Sequence, residues 1–151
     1  MMMIDVMKNH FDFMDKVVLV IGSGAGDSSI QFSTISKHII GLEIENNMRT
    51  IAERKLKELK IPNVSFRKGT AFDIISPNQS VDATIVITLP LFIEDEIGVY
   101  VREAIRVTKS GGVVINLRIA PLSNGGDLSE IILGKSKIAE VNTEGVFDRI
   151  F

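Results

Sequence analysis

The chain contains no cysteine and no tryptophan, and only two histidines. Without thiols, disulfides and thiolate metal centres are excluded. His10 and His38 are the only imidazoles, and no His/Asp/Glu cluster falls at ligand spacing, so no metal site is expected. An excess of one charge is also missing: 17 Lys and Arg oppose 19 Asp and Glu, for a net charge of −2. The bases are scattered rather than bunched, which argues against a generic electrostatic hold on nucleic acid. No apolar run reaches the ~18 residues needed to span a bilayer, so no membrane partner is expected. The opening MMMIDVMKNHFDFMDK lacks the cationic start and clean apolar stretch of a signal peptide. A cytoplasmic location is the expectation. Internal repeats, low-complexity stretches and Pro/Ser linkers are absent too, and residues 1–151 read as one domain. At that size folding buries roughly 68–70% of the unfolded surface. Nor is there a G-x-S-x-G elbow, a P-loop lysine or a close carboxylate pair, so hydrolase and kinase readings have no support.

What the chain does have is apolar material in short alternating pieces. Its mean hydropathy of +0.24 is high for a soluble chain. A parallel sheet covered on both faces would give that value, because its strands are apolar throughout; an exposed partner-binding face would raise it too. Strands are expected at Val17–Ile21, Ile39–Ile44, Val64–Arg67, Ala83–Thr88 and Val113–Arg118. Helices are expected at Asp27–Ser36, Asn46–Lys60 and Ile93–Lys109, with Asp73–Asn78 a short irregular crossing and Gly111-Gly112 a turn. The middle helix carries Met48, Ile51, Ala52, Leu56 and Leu59 on one stripe, and Glu45/Arg49, Glu53/Lys57 and Arg54/Glu58 as i,i+4 pairs. In the last helix Ile93, Ile97, Tyr100, Val101 and Ala104 face inward, with Gly98 a weak point. Strands separated by helices imply right-handed crossovers and a doubly wound, mostly parallel sheet, a three-layer α/β/α sandwich. Beyond Pro121 the pattern changes. Asp127–Leu133 suits a short helix, and Lys137–Asn142 and Val146–Phe151 flank Thr143-Glu144-Gly145 as an antiparallel edge hairpin.

The chemistry concentrates where VVLVIGSGAG runs from a buried strand through Gly22, Gly24 and Gly26 into a helix start. Such a turn brings bare backbone N–H groups and a helix end to one point, suited to a nucleotide-like ligand. The dinucleotide fingerprint G-x-G-x-x-G needs Gly or Ala at position 27, and position 27 is Asp. Asp27 is read as the N-cap of the following helix, with direct ligand contact as the alternative. Ligands sit outside the carboxyl ends of such strands, which here means Ser23 to Asp27, Glu43 to Asn46, Lys68 to Phe72, Thr88 to Phe92 and Arg118 to Pro121. Glu43, a carboxylate ending the apolar run IIGLEI, can accept two hydrogen bonds from a ribose diol. The blander reading is a half-exposed glutamate paired with a nearby base. His10 is expected to be an ordinary surface or half-packed histidine, and His38, at the opposite end of the sheet, is assigned no role. The methionines Met1, Met2, Met3, Met7 and Met14 are read as a loose start plus core filling. Asn116 and Arg118 end the fifth strand, where Arg118 suits either an anionic substrate or a solvated edge.

These residues resemble class I, Rossmann-like S-adenosylmethionine-dependent methyltransferases over about residues 12 to 119. The matching segments are VLVIGSGAG, IIGLEIENNMRTIAERKL, NVSFRKGTAFDI in place of the usual "G-D-A" stretch, VDATIVITLPLF, and VREAIRVTKSGGVVINL for the common "R-V-L-K-P-G-G" turn. The glycine loop alone is moderately specific; five segments in order make a strong fold signal. The resemblance implies S-adenosylmethionine as cofactor. Gly22, Ser23, Gly24 and Gly26 would let the main chain approach its methionine and ribose parts. Glu43 would take both ribose hydroxyls, Ile44 would pack on adenine, and Thr70 and Ala71 would edge the adenine. Thr88 and Pro90 would border the methyl-transfer face. Two positions depart from the family pattern. Val20 stands where an acid is common, and Thr70 replaces the adenine-contacting Asp.

Methyl transfer from a sulfonium needs chiefly alignment and exclusion of water. A base is required only if the acceptor holds its proton, so no catalytic residue is assigned. Thr88-Leu89-Pro90-Leu91 lacks the Asn/Asp-Pro-Pro-aromatic motif used on amino groups of bases. A small-molecule acceptor, a homodimer, or a partner subunit completing the pocket fits so small a core. The expected function is methyl transfer to a small acceptor. The alternatives are a non-catalytic S-adenosylmethionine-binding or scaffold subunit, favoured by Val20 and Thr70, and an NAD-dependent oxidoreductase, disfavoured by Asp27.

Overall fold

A computed structural model describes residues 7–9, 11–88, 94–118, 137–141 and 147–150. The apolar segments form strands β1 (Val17–Ile21), β2 (His38–Glu43), β3 (Val64–Lys68), β4 (Val81–Thr88) and β5 (Thr108–Arg118). Helix α1 (Asp27–Ser33) follows β1, α2 (Asn46–Leu59) follows β2, and α3 (Glu94–Val107) leads into β5. With β6 (Lys137–Val141) and β7 (Phe147–Ile150) the sheet order is β3-β2-β1-β4-β5-β6-β7. The first five strands in that order pair in parallel. β6 runs antiparallel to β5, and β7 antiparallel to β6. Residues 119–136 and 142–146 lie outside the described residues, as do His10, Pro90, Ile93 and the helix expected at Asp127–Leu133.

Strand alternation explains why β1 is apolar at every position. Val18 and Val20 join Phe32, Ile39, Ile85 and Ile115 on one face of the sheet. Leu19 and Ile21 join Val86, Tyr100, Ala104 and Val107 on the other. Both sets are buried, so each residue of β1 meets a helix layer whichever way it points. Phe32 of α1 and Leu56 of α2 cover the first face; α3 covers the second.

Five expectations are revised. α1 stops at Ser33 rather than Ser36. Ser33 and Thr34 turn their hydroxyls back onto the carbonyls of Ile30 and Gln31, and the Thr34 N–H tightens to an i−3 bond. Such back-bonding competes with helix continuation. Asp27 does not cap α1: Gly26 holds the N-cap, without a side-chain cap bond, and Asp27 pairs with Lys55 of α2 at 2.8 Å. On α2 only Ala52 is fully buried, with Leu56 half-buried, while Met48, Ile51 and Leu59 are exposed. The helix rides over the glycine loop on the small Ala52, so its contact stripe is narrower than its apolar pattern. None of its three i,i+4 pairs closes into an ion pair; Arg49 binds the carbonyls of Glu43 and Ile44 instead. Finally, Gly111 and Gly112 lie inside β5, which starts at Thr108.

The crossing between β3 and β4 is fastened to α3. The Arg106 guanidinium donates to the Ile74 carbonyl (2.7 Å), the Ser76 carbonyl (2.9 Å) and Asn78 Oδ1 (2.9 Å). It also forks onto both oxygens of Glu103 at 2.9 Å, and Glu103 accepts the Ile74 N–H at 2.8 Å. The hydrogen bonds from Arg106 hold the Glu103 carboxyl below its ordinary range, with the Ile74 N–H assisting against partial desolvation. A carboxyl lowered in the folded state adds stability above its unfolded value, near pH 4.3, that is lost as pH falls through the folded value. Wild type should therefore lose melting temperature in acid more steeply than Glu103→Gln, as followed by circular dichroism. Parallel acid limbs would refute this.

Candidate functional site

β1 hands the chain to β2 on one side of the sheet, and β4 lies on its other side. Between β1 and β4, therefore, the strand order reverses, and it is outside the carboxyl ends at such a point that ligands of this kind of sheet sit. The site is built there from three short connections.

The first is the glycine loop. The N–H groups of Gly22 and Ser23 both donate to the Leu42 carbonyl at 3.0 Å, which ties the loop to the end of β2. Gly22, Gly24 and Gly26 all take positive φ, at 75°, 55° and 91°. Their surroundings differ. A Cβ on Gly22 would lie 2.9 Å from the Ile87 carbonyl oxygen of β4. A Cβ on Gly26 would meet the Phe66 ring at 2.8 Å and Ala52 at 3.0 Å. A Cβ on Gly24 would meet nothing within 4 Å. Gly24 alone of the three thus borders open space. Ser23 is buried, with its Oγ against Gly41 beneath the loop and without a hydrogen-bond partner.

The second connection is the β2–α2 corner. Glu43 Oε2 accepts the Gly24 N–H at 2.8 Å and Oε1 accepts the Glu45 N–H at 3.0 Å. Among the described residues, no base pairs with this carboxylate. A carboxylate offers about four lone-pair sites, so two backbone donors leave capacity for two more. Arg49 fixes the corner from below through the Glu43 and Ile44 carbonyls at 2.6 and 3.0 Å, and through Asn46. Ile44, next to Glu43, is 52% exposed. An aliphatic side chain is left uncovered beside an oriented acid.

The third is the tight turn after β3. Thr70 bridges Asp73, and Thr70 Oγ1 accepts the Phe72 N–H at 3.3 Å. The Thr70 hydroxyl hydrogen remains free to donate. Ala71 is buried, whereas Phe72 at the tip is 37% exposed.

Gly22, Ser23, Gly24, Gly26, Glu43, Ile44, Thr70 and Ala71 thus gather along the carboxyl edge. Thr88 ends β4 at the same edge, and Pro90 lies outside the described residues. Val20 is fully buried among the core residues of β1, so its position contributes packing and no polar group. His38 stands at the amino end of β2, with Nε2 3.1 Å from Ser65 Oγ. A separate cleft of about 560 Å³ lies at that amino edge, between Phe11–Asp15 and Thr34–Lys37, and no predicted site residue lines it. Among the described residues, no group of three His, Asp or Glu is placed to hold a metal ion. No helix among them is long and apolar enough to cross a membrane.

Sequence reasoning missed the partner of the Glu43 carboxylate and the role of Gly41. A Cβ on Gly41 would meet the Phe66 ring at 2.6 Å and Ser23 Oγ at 2.9 Å. A glycine within the run IIGLEI was the available signal, since a strand glycine often marks close approach of a neighbour.

Comparison with known proteins points the same way. A family profile described as "Methyltransferase domain" matches residues 18–112. The chain is 33% identical over 97 residues to the uncharacterized methyltransferase YcgJ of Bacillus subtilis, covering 63% of this chain and 37% of that protein. The crystal structure of YcgJ superposes with a TM-score of 0.69 at 27% identity, over 79% of this chain and 50% of that one. A protein-L-isoaspartate O-methyltransferase of Photorhabdus laumondii is 31% identical over 83 residues, 55% of this chain and 40% of that protein. A Haemonchus contortus phosphoethanolamine N-methyltransferase 1, solved with phosphoethanolamine and S-adenosylhomocysteine, shares the fold. Its TM-score is 0.68 at 17% identity, over 84% of this chain and 27% of that one. The chain spans less than half the length of either curated relative.

Proposed function

The chain belongs to the methyltransferase-domain family, and from that premise we propose that it binds S-adenosylmethionine at the carboxyl edge and transfers its methyl group to a small acceptor. The observation that carries this reading is the Glu43 carboxylate, held by the N–H groups of Gly24 and Glu45 beside the open side of Gly24. Two backbone donors orient the acid, and its remaining lone pairs suit the two hydroxyls of a ribose, which are neighbouring donors. Ile44 offers an apolar surface to the adenine face, and Thr70 and Ala71 offer polar and main-chain groups to its edge. The main chain at Gly22, Ser23, Gly24 and Gly26 faces the methionine and ribose parts. Thr88, at the end of β4, and Pro90, two positions on in the sequence, would border the reacting methyl.

The residues present fit the cofactor: a carboxylate for a diol, a cradle that a Cβ would fill, and an exposed aliphatic side chain for a flat ring. Bound there, S-adenosylmethionine supplies an electrophilic methyl on a good leaving group. The protein's share is to hold that group in line with an acceptor and keep water away. Such a reaction needs no protein base when the acceptor is already unprotonated.

Calorimetric titration tests the assignment. Wild type is expected to bind S-adenosylhomocysteine and not NADH. Glu43→Ala should weaken that binding by about 1–3 kcal/mol, the loss of hydrogen bonds to a charged group. NADH binding without S-adenosylhomocysteine binding would overturn the cofactor, and an unchanged dissociation constant in Glu43→Ala would overturn the ribose role.

A further inference from the structure

We propose that Arg106, braced by Glu103, is a positioning residue that sets the purine-edge turn Thr70–Asp73 and so governs how well the site tells adenine from other purines. The inference rests on the placing of adenine against Thr70 and Ala71. Neither Arg106 nor Glu103 lies on the carboxyl-edge loops; both act from α3.

Two bonds within the turn are long. The Asp73 N–H reaches the Thr70 carbonyl at 3.4 Å, and the Phe72 N–H reaches Thr70 Oγ1 at 3.3 Å. Both are long for N–H···O contacts, whose usual distance is about 2.9–3.0 Å. Shorter bonds lie one residue later. Ile74 is seized through both main-chain groups, its N–H by Glu103 Oε2 at 2.8 Å and its carbonyl by Arg106 Nη2 at 2.7 Å. Its side chain is 2% exposed within the core. Arg106 then takes Ser76 and Asn78, so its whole fork is spent on Glu103 and this one segment.

Mere attachment of the crossing would not require this. The Gln79 and Ser80 N–H groups already bond the carbonyls of Arg106 and Val107 at 2.9 and 2.8 Å. The added fork fixes Ile74, the residue that directly follows the turn, while Ala71 within the turn packs into the core. Position matters at that edge. Adenine presents an amino donor beside the N1 acceptor, whereas hypoxanthine presents a carbonyl acceptor beside an N1–H donor. A rigid turn can match one and oppose the other; a loose turn accommodates both. Lysine cannot replace the planar fork, because its compact charge reaches one place at a time.

The test is titration of wild type and Arg106→Lys with S-adenosylhomocysteine and its 6-oxo counterpart S-inosylhomocysteine, with melting temperatures recorded alongside. Wild type should prefer the adenosyl ligand. In Arg106→Lys that affinity should fall about tenfold while inosyl affinity changes less than twofold, so the preference collapses. Equal losses for both ligands, or no loss, would show that Arg106 only stabilises the fold and would overturn the inference alone. Wild type that binds neither ligand would overturn the cofactor site and this inference with it. If Arg106→Lys fails to fold, Glu103→Gln at neutral pH takes its place, with the same collapse expected and the same outcomes overturning it.

Discussion

Gly24→Asn is expected to abolish binding of S-adenosylhomocysteine while leaving the protein folded. Gly24 holds φ at 55°, in the left-handed region, and nothing lies within 4 Å of where its Cβ would stand. Asparagine is among the non-glycine residues that enter this region most readily. The conformational penalty is about 1 kcal/mol, and at roughly 2–4 °C per kcal/mol for a chain of this size the melting temperature falls only slightly. The N–H bond to Glu43 survives, because the main chain keeps its course. The new side chain, however, occupies the space the cofactor's sugar and methionine parts would need. A loss of at least about 100-fold follows, or about 2.8 kcal/mol at 1.4 kcal/mol per decade. Gly22→Asn serves as the contrast. Its Cβ would press on the Ile87 carbonyl oxygen at 2.9 Å, so stability should fall together with binding. Calorimetry and thermal melts on the two variants separate these cases. A Gly24→Asn protein that binds within threefold of wild type would falsify the placement of the ligand against this loop.

The difference between these two glycines marks the boundary of what could be read from the chain alone. Local signals survived folding. The strand-glycine-helix junction and the acid ending IIGLEI each depend on a few consecutive residues, and topology then carries both to one edge. The structure also gave Glu43 a pair of backbone donors that no spacing rule names, since Gly24 reaches it from the loop after β1. Asp27 shows the opposite failure. Its residue type favours a cap, yet the left-handed Gly26 before it already starts the helix, and Lys55 from α2 claims the carboxylate. On α2 the 3.6-residue period of apolar residues was real, but Met48, Ile51 and Leu59 stay exposed because the helix sits on Ala52. How close two elements approach is a property of both, and only one was visible in the pattern. Arg106 was passed over for the same reason: apart from Glu103, its partners lie about 30 positions away, and bonds to distant main-chain carbonyls leave no sequence pattern.

The largest loss of stability is expected at Gly112, which the chain's pattern marked only as half of a turn. It lies inside β5 and is buried, where β4 and β5 shift register between Val81 and Ala83. A Cβ there would fall well inside contact distance of the Asp82 carbonyl oxygen, and 2.8 Å from both the Lys109 carbonyl oxygen and Thr108 Cγ2. Two of these obstacles are backbone, so no rotamer change relieves them. The surroundings are also tightly bound. Asp82 accepts the Val17 N–H at 2.9 Å, and Thr108 shares a 2.7 Å hydroxyl contact with Thr84 in the core. To admit even a methyl group, β5 must move away from β4 at the base of the sheet. Gly112→Ala should therefore cost about 3 kcal/mol, the upper end of overpacking penalties, or some 6–12 °C in melting temperature. Gly111→Ala is the control. Its φ is +81° with nothing within 4 Å of the added methyl, so only the left-handed penalty of about 1–2 kcal/mol applies. The ordering of the two neighbours by thermal denaturation decides the matter: if Gly112→Ala melts no lower than Gly111→Ala, the close approach of β4 to β5 at this glycine is wrong.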